Sequence, residues 1–379
     1  MHCFKKPLIG LIISILTYLI IFFESEEEKY LKLPIDSRLR KLNYPIQRHH
    51  IITDDNFNIT VFRLGKKGSY QFNQGKPVVF VPQFLNCIDS YVLNEEHLSP
   101  ALVLANYGFD VWLMSTRGGD YSPNDGKGSD FSFHEYGYYD LSKTFEYIYL
   151  FNPQNISAIG HSQGGNTILV GLAERRLKNA HKMIIYGGGI YGQHAQGLFP
   201  LLINSPFVEI LSKFTDKINI GPSRFLFYLT KHFHFVSRLF FHYVIDTLES
   251  DMNVNYLYRF AKRSPQPTTI QNILHYKQMF VNGVFRRFDY GPEKNLQKYG
   301  QLEAPLYNLN QIQESIHLIY GTHDVLVRQP DAQKFYQELK KTQAKNVTIS
   351  EYPQMGHISF ILDKRAQFLK EIISIIEDD

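Results

Sequence analysis

The sequence predicts an α/β protein: a mostly parallel central sheet with helices on both faces and a helical cap inserted late in the chain. Three observations carry that expectation. Short apolar runs alternate with helix-like stretches between residues 77 and 186, the pattern of strand–helix–strand units feeding a parallel sheet. The pentapeptide Gly160-His161-Ser162-Gln163-Gly164 stands where one such run gives way to a helical pattern. The stretch between the apolar runs 183–186 and 315–320 is too long for a crossover and marks an insertion.

The elements follow in order. Lys5-Lys6 precede an apolar run over residues 7–23, closed by the acidic stretch 24–28. Residues 1–28 read as a membrane-targeting segment, either a signal peptide or an uncleaved signal anchor. Lysines ahead of the run place the N-terminus in the cytosol and the body in the lumen or outside. The first part of the core spans residues 40–186. It has strands at 78–81, 111–114, 156–159 and 183–186, and helices at 101–107, 141–150 and 166–177. The last helix aligns Ile168, Leu169, Leu172 and Leu177 on one face. The cap spans residues 187–310. It is aromatic (Phe225, Phe227, Tyr228, Phe233, Phe235, Phe240, Phe241, Tyr243), and over 200–244 Lys213, Lys217, Arg224, Lys231 and Arg238 outnumber Glu209 and Asp216. The second part of the core, residues 311–379, adds strands at 315–320 and 347–352.

The pentapeptide has the form of a nucleophile elbow. Glycines beside Ser162 permit a turn sharp enough to raise its hydroxyl above the sheet. A serine hydroxyl needs a base to take its proton and a third group to orient that base. Asp324 in Gly321-Thr322-His323-Asp324 follows one late strand, and His357 in Pro353-Gln354-Met355-Gly356-His357 follows the next. Ser162, Asp324 and His357 thus come in the order Ser, Asp, His, each just past a strand. They are the candidate catalytic residues.

These segments resemble the acid lipases, the α/β-hydrolase group that includes gastric and lysosomal acid lipase. Residues 49–64 (HHIITDDNFNITVFRL), 107–118 (YGFDVWLMSTRG), 133–141 (FHEYGYYDL), 160–164, 270–276 (IQNILHY), 288–291, 306–308, 321–326 (GTHDVL) and 357–361 (HISFI) carry the likeness, which runs from about residue 40 to the C-terminus. It implies the α/β-hydrolase fold and a serine lipase acting on neutral lipid esters, triacylglycerol or steryl ester, at a lipid–water interface. It also implies an oxyanion hole made by the backbone N–H groups of Gln163 and Leu85. Two positions depart from the family. Gln83-Phe84 stands where the family has His-Gly, and a glycine tolerates a positive φ that Phe84 would not. Ser359 stands where the family has an aspartate. An apolar cap with cationic edges suits a lid that opens on lipid and tolerates fatty-acid product. Two other readings stay open: a carboxylesterase for small soluble esters, and a catalytically impaired lipid-binding protein on the same fold.

Composition narrows the rest. The net charge of +4 comes from dispersed basic residues without a nucleic-acid motif, so no nucleic-acid partner is expected. Asn58, Asn155 and Asn346 head N-x-S/T sequons and are candidate glycosylation sites on a secretory-pathway protein, whether secreted, lysosomal or vacuolar, or anchored. Of the two cysteines, Cys3 lies in the targeting segment, so the body cannot form an internal disulfide, and Cys87 reads as a buried small apolar residue. His232, His234 and His242 lack the carboxylate or thiolate that would complete a metal site. The chemistry needs no metal and no cofactor.

Overall fold

The computed structural model describes residues 24–378 apart from 86, 125, 220, 222–223, 245 and 248–249. Residues 1–23 of the stretch 1–28 read as a targeting segment lie outside the described residues. Among the described residues no helix is long and apolar enough to cross a membrane.

Eight strands form the central sheet: β1 (Ile46–Ile52), β2 (Asn58–Leu64), β3 (Pro77–Val81), β4 (Asp110–Met114), β5 (Ile156–His161), β6 (Ala180–Tyr186), β9 (Ser315–Gly321) and β10 (Val347–Tyr352). Their spatial order is β1-β2-β4-β3-β5-β6-β9-β10. Only β2 runs against its neighbours; from β4 to β10 every pairing is parallel. The sequence explains why these strands are interior. PVVFV, DVWLM and ISAIGH are buried along their whole length, as a sheet covered on both faces requires.

Alternation along each strand then sorts side chains between two cores. Val79, Val81, Trp112, Met114, Ala158 and Ile185 face one, shared with helices Ser142–Phe151, Gln163–Ala173 and Gln329–Leu339. Val78, Phe80, Val111, Leu113, Ile159 and Ile184 face the other, shared with helices Ile35–Lys41, Pro100–Tyr107 and Gln367–Glu377. The chain changes direction across the sheet at β3, which has β4 on one side and β5 on the other. Ligands of open α/β sheets bind beyond the carboxyl ends of strands at such a switch point.

Between β6 and β9 the chain builds the cap from helices Leu198–Asn204, Phe207–Leu211, Arg224–His232, His234–Val244, Leu257–Arg263, Ile270–Asn282 and Pro292–Tyr299. A short antiparallel pair joins β7 (Lys217–Ile218) to β8 (Thr268–Thr269). Helix Ile270–Asn282 is capped by the Thr269 hydroxyl, which accepts the Asn272 N–H, and ends on Gly283 at φ 60°. Its buried residues Ile270, Ile273, Tyr276 and Met279 recur every three positions and bring one face down on the main core.

The acidic stretch after residue 23 does not trail into solvent. Glu26–Lys32 is a helix capped by the Ser25 hydroxyl. Fully buried Glu28 receives Arg224 Nε at 3.0 Å and Lys262 Nζ at 2.5 Å. Glu27 receives Lys231 Nζ at 2.6 Å and the Tyr258 hydroxyl. Leu31 packs with Phe227 and Tyr258. Glu26–Glu28, read from sequence as the tail of the targeting segment, is thus part of the folded body. Arg224 and Lys231, read from sequence as part of the cationic edge of the cap, are paired with Glu28 and Glu27.

Candidate active site

Ser162 stands at φ 53°, ψ −117° between β5 and helix Gln163–Ala173. A non-glycine residue there is strained, at a cost of order 1–3 kcal/mol, and the surroundings over-determine it. A β-carbon on Gly160 would lie 2.5 Å from the Gly164 carbonyl carbon, and one on Gly164 would overlap the Val81 carbonyl oxygen. The two glycines therefore let strand and helix cross almost in contact. The Ser162 N–H donates to the Tyr186 carbonyl at 3.0 Å, and the Ser162 carbonyl accepts the Gly165 N–H at 2.9 Å.

Asp324 belongs to the turn that closes β9. Its Oδ1 accepts the N–H groups of Leu326 at 2.8 Å and Val327 at 2.9 Å, and its Oδ2 faces His357 Nδ1 at 2.8 Å. An ionised carboxylate only accepts, so Nδ1 carries the proton and Nε2 of the neutral ring is left as an acceptor. Both side chains are buried. The His357 loop is held by its own main chain: the Gly356 N–H donates to Ser359 Oγ at 3.0 Å, and the His357 N–H donates to Asp246 Oδ1 at 2.7 Å. Burial first, and the neighbouring Asp324 charge second, push the Asp246 carboxyl well above the usual range.

The loop after β3 supplies the third side. The positive φ falls on Leu85, at 55°, and not on Phe84, which corrects the expectation drawn from the missing glycine. Phe84 is free to turn its ring inward, edge-on to Phe199 at 5.6 Å and to Tyr276 at 5.3 Å. The Leu85 carbonyl accepts the Gln266 N–H at 2.8 Å. Gln163 opens its helix, so its N–H has no partner within that helix. Its side-chain Oε1 accepts Asn272 Nδ2 at 2.8 Å.

Ser162, His357, Gln83, Phe84 and Leu85 all line one cavity of about 410 Å³. Most of its remaining wall is apolar and includes Phe240, Phe241, Phe260, Met279, Phe280 and Leu326. Such a cavity takes an aliphatic or aromatic group and leaves the polar work to a few atoms at one end.

The other sequence expectations lie elsewhere. Asn58, Asn155 and Asn346 are exposed; Asn155 and Asn346 immediately precede β5 and β10, at the sheet edge opposite Ser162. Cys87 is buried, but it is more than a small apolar filler: its thiol donates to Asp89 Oδ2 at 3.0 Å. His232 stacks on Tyr228, and His234 Nε2 faces the Lys231 carbonyl. Among the described residues no three His, Cys, Asp or Glu side chains converge as metal ligands. Sequence reasoning missed Asp246 and Asn272 as parts of the site. Asn272 lies inside the IQNILHY segment, where its spacing on the helix marks it as core-facing; Asp246 has no comparable signal.

Comparison with known proteins bears on the family and the fold. The family model for the alpha/beta hydrolase fold matches residues 76–190, and that for the partial alpha/beta-hydrolase lipase region matches 35–95. A dienelactone hydrolase family model matches residues 291–374. The chain is 27% identical over 361 residues to gastric triacylglycerol lipase of Bos taurus, covering 89% of each. It is 27% identical to triacylglycerol lipase 1 of Arabidopsis thaliana, covering 94% of each, and 26% identical to lipase 3 of Drosophila melanogaster, covering 87% and 89%. An esterase of Exiguobacterium antarcticum shares the fold, with TM-score 0.53 at 14% identity over 88% of this chain and all of that one.

Fold and comparisons together make this chain an α/β hydrolase acting on carboxylic esters. Its curated relatives are lipases at 23–27% identity, a likeness to the acid lipases that supports an ester-hydrolysing lipase within that class.

Proposed function

We propose that the protein is a serine lipase that cleaves neutral lipid esters, triacylglycerol or steryl ester, through an acyl-enzyme on Ser162. The observation that carries the reading is the joining of one apolar cavity to Ser162 and to a His357 whose Nδ1 is committed to Asp324. Ser162 Oγ attacks the ester carbonyl and His357 Nε2 takes its proton. Asp324 fixes the tautomer and stabilises the imidazolium. The N–H groups of Gln163 and Leu85 receive the oxyanion, and the N-terminus of helix Gln163–Ala173 adds a favourable dipole. His357 returns the proton to the departing alcohol. It then activates the water that releases the fatty acid and frees Ser162. No cofactor enters these steps.

The substrate class is supported by the apolar cavity wall and by the triacylglycerol lipases among the relatives. Exposed Leu198, Leu201, Leu202, Phe207, Phe214, Phe225, Phe233 and Phe235 on the cap favour contact with a lipid–water interface. The apolar run after Lys5-Lys6 and the three exposed sequons favour a secretory-pathway enzyme with its catalytic body lumenal or extracellular, whether the segment is cleaved or stays as a membrane anchor. Fatty-acid release from emulsified long-chain triacylglycerol between pH 4 and 8, with Ser162→Ala beside wild type, tests the reading. Release that vanishes in the variant supports it, and no release from folded wild type refutes the triacylglycerol assignment. One observation favours a carboxylesterase for small esters: Phe84 packs against Phe199 and Tyr276 and narrows the acyl site. An acyl-chain-length series separates the two.

A further inference from the structure

Asp246 lies just past the aromatic cap helix His234–Val244, far in sequence from every residue of the proposed triad. Its carboxyl is 1% exposed, and Oδ1 accepts the His357 N–H at 2.7 Å. The preceding residue has to be small: a β-carbon on Gly356 would overlap Asp246 Oδ1. The carboxyl therefore lies directly against the Gly356–His357 peptide. Three further links run alongside. The Asp251 N–H donates to the Gln354 carbonyl at 2.7 Å, the Asn253 N–H donates to the Leu362 carbonyl at 2.6 Å, and Met252 bridges Asp363. Arg238 Nη2 on the cap helix reaches the Ser250 carbonyl at 3.0 Å. A cap segment is thus laid along the stretch of chain that carries His357.

We infer that Asp246 is a positioning residue that fixes the main chain of His357 from the cap, so that the base is aligned only while the cap is seated on the core. The inference rests on the reading of His357 as the base. The link is main-chain to side-chain: Asp246 holds the peptide of His357, Asp324 holds its ring, and Ser359 Oγ holds the amide before it. With the amides of both Gly356 and His357 and the Nδ1 of the ring engaged, the loop keeps little freedom to swing Nε2 away from Ser162. Small misplacements of a catalytic group cost rate far more than binding.

The test is steady-state hydrolysis of a soluble p-nitrophenyl ester by full-length wild type, Asp246→Ala, Asp246→Asn and Gly356→Ala, with melting curves for each. Asparagine keeps an acceptor oxygen where alanine does not, and the alanine at 356 pushes the carboxyl off the peptide. The expected result is a kcat lower by about 10–100-fold in Asp246→Ala and Gly356→Ala, KM within about threefold, and kcat within about threefold of wild type in Asp246→Asn. If Asp246→Ala does not fold, Gly356→Ala and Asp246→Asn carry the same comparison. Wild-type kcat in folded Asp246→Ala or Gly356→Ala would overturn the inference alone, as would an Asp246→Asn that falls as far as the alanine variant. A wild type whose turnover does not depend on Ser162 would overturn it together with the serine reading.

Discussion

Asp324 holds His357 with one oxygen and its own loop with the other: Oδ2 meets Nδ1 at 2.8 Å, while Oδ1 takes the N–H groups of Leu326 and Val327. The carboxylate is fixed before it fixes the ring. In Asp324→Asn the amide can keep the loop contacts through its oxygen, but it presents an N–H to Nδ1 and favours the wrong tautomer. Ester turnover should fall by about 10⁴-fold with an unchanged circular dichroism spectrum. A loss smaller than tenfold would remove Asp324 from the mechanism.

Leu85 carries the left-handed conformation of the loop after β3, at φ 55°. Glycine adopts that conformation without strain, whereas a β-branched side chain is a severe outlier there. Leu85→Gly should therefore keep kcat within about threefold, and Leu85→Val should lower it about tenfold or more by turning the N–H away from the oxyanion. Equal kcat in the two variants would show that this N–H does not serve the reaction.

Glu28 is buried between Arg224 and Lys262, and Lys262 is itself 6% exposed. Glu28→Ala leaves that ammonium buried without its carboxylate, which costs about 3–5 kcal/mol. The expected outcome is a lower melting temperature and faster proteolytic cleavage within residues 198–263. Unchanged cleavage would mean that the N-terminal helix does not brace the cap.

The carboxyl of Asp246 gives stability a pH dependence of known sign. Its folded pKa lies above the unfolded value, so the folded state binds the extra proton between the two. The contribution is fully present below the unfolded carboxylate pKa and is lost as pH rises through the folded one. Asp246→Asn, which never ionises, should therefore melt above wild type at pH 7, by on the order of 2–4 °C for each kcal/mol recovered, and close to wild type near pH 4. Melting curves at the two pH values check this; a gap that is constant with pH would show that Asp246 is not the group responsible.

Much of this was legible in the sequence because it depends on local pattern. The runs PVVFV, DVWLM and ISAIGH had to be interior strands, and a serine between Gly160 and Gly164 at the end of one had to sit on a sharp turn. Asp324 and His357 each follow a strand by a few residues, which fixes their edge of the sheet. The remainder depends on which distant surfaces meet. Nothing local to Asp246 distinguishes it from an exposed loop aspartate, since its partner is the main chain of a residue on another strand's loop. Arg224 and Lys231 read as a solvated cationic edge because Glu27 and Glu28, which pair with them, read as the end of a leader. At Phe84 the missing glycine pointed one residue short: the loop takes its positive φ at Leu85, whose carbonyl the Gln266 N–H holds.

The chain enters its fold through the cap, because Glu27, Glu28 and Leu31 attach to Arg224, Lys231, Lys262, Phe227 and Tyr258 before helix Ile35–Lys41 reaches the sheet. A pull applied ahead of Glu24 is therefore felt first by the cap helices and only afterwards by the central sheet beneath them. Whatever grips the chain ahead of Glu24 holds the protein by its roof, so fusions at this end load the door to the cavity, whereas fusions after helix Gln367–Glu377 load only the floor.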